Sequence, residues 1–372
     1  MLSQRSRVYI TRFTLVCTVV VILYYGVFLL SSSSDTDLFS SSSAEDGVDQ
    51  GCYHLNSASG QFLLSTEELA RRKCNKTFPD VIVAGTKKCG TTALRNFLTF
   101  HPQLATAKCE THYFDSRYYL GLDWYLNQMP FSTPDQLTVE KTPGYFVHPF
   151  ASSLVKKDMD PKLKLIFILR DPVQRAISDF AHSFEAKAWA ESGYVKPRAI
   201  LLKSLKQSLT KEQLQIRAKF KEGHDKLIKP LLVKDTFEES VLFPNGTVNT
   251  QTSVIDTGIY IKHLRQWLSS FPLDTLLVLD GEEFIYNPLP ALQKIEQFLN
   301  IKQYFTRETF YFDTDKTFFC LAKPLRSCMS NSKGRPHPYV QPEVLRTLYD
   351  FFEPYNIELE KLLQQNFTWT MS

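Results

Sequence analysis

Three short runs along the chain are apolar on consecutive positions, and each is followed by helix-like spacing. Val81-Ile82-Val83 leads into the Gly85–Gly90 loop and then Ala93 to Leu98. Leu163 to Leu169 (LKLIFIL) stops at Arg170-Asp171-Pro172 and gives way to a helical pattern over Val173 to Phe184. Thr275 to Leu279 (TLLVL) precedes Asp280-Gly281-Glu282 and a helix over Pro290 to Leu299. Continuous β-branched and leucine runs predict strands buried on both faces. Repetition of the strand–helix unit predicts an α/β fold with a parallel central sheet flanked by helices on both faces. Gln136 to Thr142 alternates like a further strand ending at Pro143. Helices are expected over Gln61 to Lys76, Leu120 to Met129, Tyr260 to Phe271 and Val344 to Gln364. Phe237 to Val254 reads as loop, and Phe310 to Phe319 as an irregular aromatic strand.

The N-terminus has a different pattern. Phe13 to Leu30 is apolar and uncharged, long enough to cross a bilayer. Arg5, Arg7 and Arg12 precede it, which sets residues 1–12 in the cytoplasm and the bulk of the chain on the far side. A cleaved signal peptide is the competing reading, less suited to so long a run. Residues 13–30 are therefore read as a signal-anchor helix, 31–59 as a Ser-rich stem and 60–372 as the luminal domain. That compartment makes the sequons at Asn75, Asn245 and Asn366 candidate glycosylation sites. It also makes Cys320 and Cys328 candidates for a small disulfide-closed loop. Cys52, Cys74, Cys89 and Cys109 have no deducible pairing, and no cysteine spacing resembles a zinc site.

Of 372 residues, 43% are hydrophobic and 22% charged, which is ordinary for a globular protein, and the net charge of +4 decides little. Its distribution says more. Lys196 to Lys234 holds eleven Lys/Arg against Glu212, Glu222 and Asp225. Such a block suggests a polyanionic partner, against the plainer alternative of a solvated helix face.

Candidate chemistry gathers where strands end. Gly85 and Gly90 have the spacing of a nucleotide-phosphate loop, but Thr91-Thr92 follows Gly90 where such a loop has Lys-Ser/Thr, and the lysines come earlier, at Lys87 and Lys88. The strand–loop–helix cradle thus suits a phosphate-bearing donor other than ATP. Glu110, His112 and Asp115 fall within six residues beside Tyr113 and Phe114, a setting for a general base. Lys141 ends the alternating strand, and Arg170 ends the second buried one with Ser178 on the helix beyond. Lys333-Gly334-Arg335-Pro336-His337 is a rigid basic loop suited to cover a phosphorylated ligand.

These residues resemble a known family. Lys88-Cys89-Gly90-Thr91-Thr92 resembles the 5′-phosphosulfate loop of sulfotransferases, and Arg170-Asp171-Pro172 with Ser178 resembles their 3′-phosphate site. Glu110-x-His112-x-Phe114-Asp115, Val139-Glu140-Lys141-Thr142-Pro143, Asp280-Gly281-Glu282 and Lys333-Gly334-Arg335-x-His337-Pro338 resemble the heparan sulfate glucosamine 3-O-sulfotransferases. The resemblance runs from about Pro79 to the C-terminus. It implies a P-loop-like sulfotransferase fold, a Golgi membrane location of single-pass type II topology, 3′-phosphoadenylyl sulfate as donor, no metal, and heparan sulfate, not nucleic acid, as polyanionic partner. It implies Glu110 as base, Lys88 at the leaving phosphate, Lys141 near sulfonate and sugar, and His112 and Asp115 orienting them. Cys89 to Thr92, Arg170, Ser178 and Lys333 to His337 would hold the donor; Thr142, Pro143, Gly144 and Trp267 would meet the saccharide. Two departures stand out. The family's Lys-Gly-Gly-Thr-Arg loop reads Lys-Cys-Gly-Thr-Thr here, and the basic block is longer than the family pattern. Related alternatives are sulfation at another position, on the glucosamine nitrogen or a galactosamine hydroxyl, and an inactive heparan-binding protein.

Overall fold

The computed structural model describes residues 47–56, 60–191, 209–227, 233–329 and 337–370. At its centre is an all-parallel sheet of five strands: β1 (Val81–Gly85), β2 (Leu104–Thr106), β3 (Leu137–Lys141), β4 (Lys164–Leu169) and β5 (Leu276–Asp280). Their spatial order is 5-4-1-3-2, so β1 is flanked by β4 on one side and β3 on the other. The chain leaves β1 in both directions, and in such sheets the crevice beyond the strand C-termini at that point takes the ligand.

Alternate residues of these strands feed two separate cores, as a sheet covered on both faces requires. Ile82, Ala84, Leu165, Phe167 and Leu169 pack one way with Trp267, Tyr260 and Phe352. Val81, Val83, Ile166 and Ile168 pack the other way with Leu94, Phe97, Phe284 and Leu292. The flanking helices are α1 (Thr91–Leu98), α2 (Pro172–Glu191), α3 (Lys211–Leu227), α4 (Tyr260–Leu268), α5 (Pro288–Leu299) and α6 (Pro342–Leu363). Pro172 opens α2, with Asp171 Oδ1 accepting from the Val173 and Gln174 N–H groups, so the second strand–turn–helix unit starts as its sequence predicts.

Some expectations are corrected. The described residues begin at Gly47, within the expected stem, where Gly47–Gln50, Tyr53–Asn56 and Gly60–Leu63 are strands. A Cys52–Cys74 disulfide ties them to the domain, a pairing the spacing alone did not give. Within Gln61 to Lys76 only Thr66–Arg71 is helical, started by the Ser65 cap. Phe237 to Val254 carries two short helices, Phe237–Val241 and Ser253–Asp256, each capped by a threonine. The aromatic stretch is a hairpin of Phe310–Asp313 and Phe318–Leu321, and the predicted Cys320–Cys328 bond closes the loop that follows its second strand. The three sequon asparagines are exposed.

The predicted cytoplasmic tail, membrane span, most of the stem, and much of the basic block lie outside the described residues. Among the described residues no helix is long and apolar enough to cross a membrane. Of the basic block, α3 is described. Its Phe220 ring lies 5.2 Å from His148 and 6.1 Å from Tyr118, and its Arg217 covers Tyr119, so aromatic contacts dock it on the body.

Candidate active site

A cleft of about 810 Å³ opens at the C-terminal ends of the central strands. One end is the phosphate cradle. Lys87, Lys88, Gly90, Thr91 and Thr92 line it, and Arg170, Ser178 and His337 join them from β4, α2 and the C-terminal loop. Gly90 has φ +98°, a conformation glycine adopts freely, and this turns the loop into α1 so that the first-turn N–H groups face the cleft.

Two cations at this end have a carboxylate support. Arg170 Nε donates to Glu282 Oε1 at 2.7 Å, and Tyr260 donates to the Arg170 carbonyl at 2.7 Å. Lys87 pairs with the buried Asp179 at 2.7 Å, one residue from Ser178, and Asp179 also holds Arg175 at 3.0 Å. Glu282, so far only part of a motif, holds the Arg170 side chain. Burial, and then the Arg170 and Lys88 charges, push the His337 pKa down. The hairpin adds Thr317, Phe318 and Phe319, with Phe284 and Ile285 beside them, as the apolar wall of the cleft.

Cys89 contributes backbone, not bulk. Its side chain is fully buried beneath the loop with Sγ 3.7 Å from the Tyr260 hydroxyl, and burial pushes its thiol up to about 11. The family's glycine is therefore replaced without filling the cleft. Lys333, Gly334, Arg335 and Pro336 lie outside the described residues.

The other end holds the acid–base cluster. Glu110 and His112 line the cleft along with Pro143 and Gly144. On an extended segment Glu110 and His112, two apart, would point the same way. Instead His112 takes φ +54° and the chain turns into one π-type turn over Tyr113–Arg117. This turn brings Asp115 Oδ2 to 2.8 Å from His112 Nδ1, while His112 Nε2 lies 3.4 Å from Glu110 Oε2. Lys141 Nζ, from the end of β3, donates to Glu110 Oε1. The imidazole thus bridges two carboxylates.

Burial disfavours its charge, but the Asp115 and Glu110 bonds overcome this and raise His112 to about 9. Burial likewise opposes the Glu110 charge, and the His112 bond and Lys141 ammonium outweigh it, lowering Glu110 to about 2. At neutral pH the cluster therefore holds an ionised Glu110 against two cations. Asp115 lies behind His112, and Gly144 lets it approach: a Cβ there would fall 2.4 Å from Asp115 Oδ2.

Two saccharide candidates are corrected. Trp267 is fully buried on α4 with its indole N–H donating to the Phe146 carbonyl at 3.1 Å, so it is core. Thr142 is also fully buried, its hydroxyl donating inward to Glu140. The sequence reading missed Lys87, His182, Phe284 and the hairpin aromatics, all of which line the cleft. His182 follows Ser178 by one helical turn, a spacing that could have pointed to it.

Comparison with known proteins decides the family. The sulfotransferase domain family matches residues 78–366. Human heparan sulfate glucosamine 3-O-sulfotransferase 5 is 33% identical over 310 residues, covering 82% of this chain and 78% of the relative. This chain belongs to that family. Human heparan sulfate glucosamine 3-O-sulfotransferase 6 is 33% identical as well, over 81% of this chain and 76% of its own. The fold of this sulfotransferase is shared by one from Alicyclobacillus acidocaldarius, at TM-score 0.50 and 17% identity, over 80% of this chain and all of that one.

Proposed function

We propose that this sulfotransferase moves the sulfuryl group of 3′-phosphoadenylyl sulfate to the 3-hydroxyl of glucosamine units in heparan sulfate, with Glu110 as general base. One observation carries the reading: a single cleft joins a cationic phosphate cradle to a carboxylate held beside an imidazole and a lysine. The donor's 5′-phosphosulfate suits the cradle and first turn of α1, and its 3′-phosphate suits Arg170 and Ser178. His337 completes that end.

In the transfer, the acceptor oxygen attacks sulfur as the bond from sulfur to the 5′-phosphate oxygen breaks. Glu110 takes the hydroxyl proton. Lys88 neutralises the charge that the phosphate oxygen gains, where fixed charge is most effective. A base whose pKa is about 2 is weak. Lys141 supplies the remedy: an ammonium that leaves Glu110 for the incoming sulfonate oxygens raises the basicity of Glu110 as the reactants assemble. His112, held by Asp115, keeps Glu110 oriented throughout. Relatives named for heparan sulfate support the acceptor, and a basic α3 beside the catalytic turn suits a polyanion.

The same reading extends to an N-terminal membrane anchor with the catalytic domain in the Golgi lumen. Two disulfides and three exposed sequons support an oxidising, glycosylating compartment.

Glu110→Gln tests the mechanism. It keeps the shape and removes the basic oxygen, and general base catalysis supplies roughly 10²- to 10⁴-fold. Transfer should fall by that much while binding of heparan sulfate and of adenosine 3′,5′-bisphosphate persists. Activity near the wild-type level would remove Glu110 from the role of base.

A further inference from the structure

Behind the cluster lies a carboxylate that the reaction does not use. Glu140 is on β3, next to Lys141, and is fully buried. Its Oε1 is the end of a chain of hydroxyls. Thr142 Oγ1 accepts the backbone N–H groups of Thr111 at 3.1 Å and His112 at 3.4 Å, so its own proton goes to Glu140. Thr111 Oγ1 donates to the same oxygen at 3.2 Å and accepts the Tyr113 N–H at 3.3 Å. With that proton committed, Tyr145 donates to Thr111 at 2.8 Å and accepts the Tyr113 N–H at 3.0 Å. Three successive backbone N–H groups of the catalytic turn are thus held by hydroxyls that a single carboxylate oxygen orients. On the other side, Arg117 clasps the Thr111 carbonyl.

We propose that Glu140 is a positioning residue for sulfuryl transfer: through the Thr142 and Thr111 hydroxyls it fixes the turn that aims Glu110 and His112. The inference rests on the reading of Glu110 and His112 as the reacting cluster.

Two features distinguish this from ordinary core packing. His112 sits at a left-handed φ of +54°, which a β-carbon resists, so surrounding bonds must hold it there. A leucine at 140 could fill space but offers no oxygen to the two hydroxyl donors, and a glutamine offers its carbonyl oxygen only while placing a buried amide NH2 group where Oε2 has no partner. Burying a carboxyl also carries a cost that a filler would avoid. Burial raises Glu140 to about 7, against the lowering effect of the Thr142 and Thr111 bonds, and nearby Asp115 adds to the rise. Its Oε2 has no hydrogen-bond partner. The residue retained here thus gives up solvation on one oxygen to serve the turn with the other.

The test uses full-length enzyme carrying Glu140→Ala, Glu140→Gln, Thr142→Val or Thr142→Ser. Thr142→Val preserves volume and severs the link, so it stands even where Glu140→Ala does not fold. Displacements on the order of 1 Å in a catalytic group cost roughly 100-fold. Accordingly kcat should fall about 10- to 100-fold in Glu140→Ala and Thr142→Val. The dissociation constant for adenosine 3′,5′-bisphosphate should not move, since the cradle is elsewhere. Thr142→Ser, which keeps the hydroxyl, should recover most of the rate, and Glu140→Gln should fall between.

The second readout is the His112 resonance, followed by NMR against pH. In Thr142→Val its titration should move from near 9 toward the ordinary histidine value as Glu110 and Asp115 lose their alignment. Folded Glu140→Ala and Thr142→Val enzymes with wild-type kcat and an unmoved His112 would overturn the proposal. Should Glu110→Gln itself remain active, the base assignment fails, yet the His112 titration still decides whether Glu140 sets the turn.

Discussion

The two ends of the cleft are built by opposite means. The donor end is local: β1, the Gly90 loop and α1 are one continuous stretch, and the helix N-terminus follows from its geometry. Its cations are backed by carboxylates from behind, Glu282 for Arg170 and Asp179 for Lys87, while their binding faces point into the cleft. The acceptor end is non-local. Lys141 reaches Glu110 across 31 residues, and Glu140 of β3, with Thr142 and Tyr145 just beyond the strand, holds the turn. Its charges are spent on one another: Glu110 and Asp115 face Lys141 and His112. Both ends hold paired charges, but in the proposed reaction only the acceptor end has to break one of its own pairs, Glu110–Lys141, as the reactants assemble.

That contrast predicts separable losses. The largest is at Lys88. Lys88→Ala should cost kcat about 10²- to 10³-fold, the usual scale for removing one charge-stabilising donor, as read by steady-state transfer at saturating donor. An unchanged kcat with a large rise in donor KM would assign Lys88 to binding instead. Arg170→Ala should act on the other parameter. Loss of a charged hydrogen bond is worth about 1.5–3 kcal/mol, so calorimetry should find adenosine 3′,5′-bisphosphate bound roughly 10- to 100-fold more weakly. Its kcat at saturation should change little. If Arg170→Ala instead slowed the chemical step, the two ends would not be independent.

The smallest effect lies in pH. His112 is raised to about 9 in the folded protein from an ordinary value near 6.5. Its contribution to stability is fully present below about 6.5 and is lost as pH rises through 9. Urea midpoints should therefore decline across that window, and Asp115→Asn should flatten the decline. An unchanged slope in Asp115→Asn would mean that the Asp115 pair does not hold the imidazolium.

The same contrast explains what the sequence disclosed. Val81 to Thr92 and Leu163 to Ser178 read correctly as strand–loop–helix units because their signals are local: a buried run, a glycine or proline at the break, then helical spacing. Glu110, His112 and Asp115 were legible as a cluster, but the turn that joins them was not, since the positive φ of His112 occurs where its N–H meets Thr142, 30 residues away in sequence. Trp267 misled because it was carried over from the family resemblance as a saccharide contact, whereas helix α4 turns its ring into the core. The Cys52–Cys74 bond was unreadable for a related reason: with several cysteines, pairing is fixed by which strands meet. Cys89 shows the reverse: a departure from the family pattern whose side chain is buried and does not line the cleft.

The most direct test is to follow where the sulfate goes. Full-length enzyme would be given radiolabelled 3′-phosphoadenylyl sulfate with heparan sulfate, chondroitin sulfate or N-desulfated heparosan, and the products resolved by disaccharide analysis. The account predicts label at the 3-hydroxyl of glucosamine in heparan sulfate and none in chondroitin. Label on the glucosamine nitrogen or on a galactosamine hydroxyl would contradict the acceptor assignment while keeping the sulfotransferase, and bound heparan without label would contradict catalysis itself.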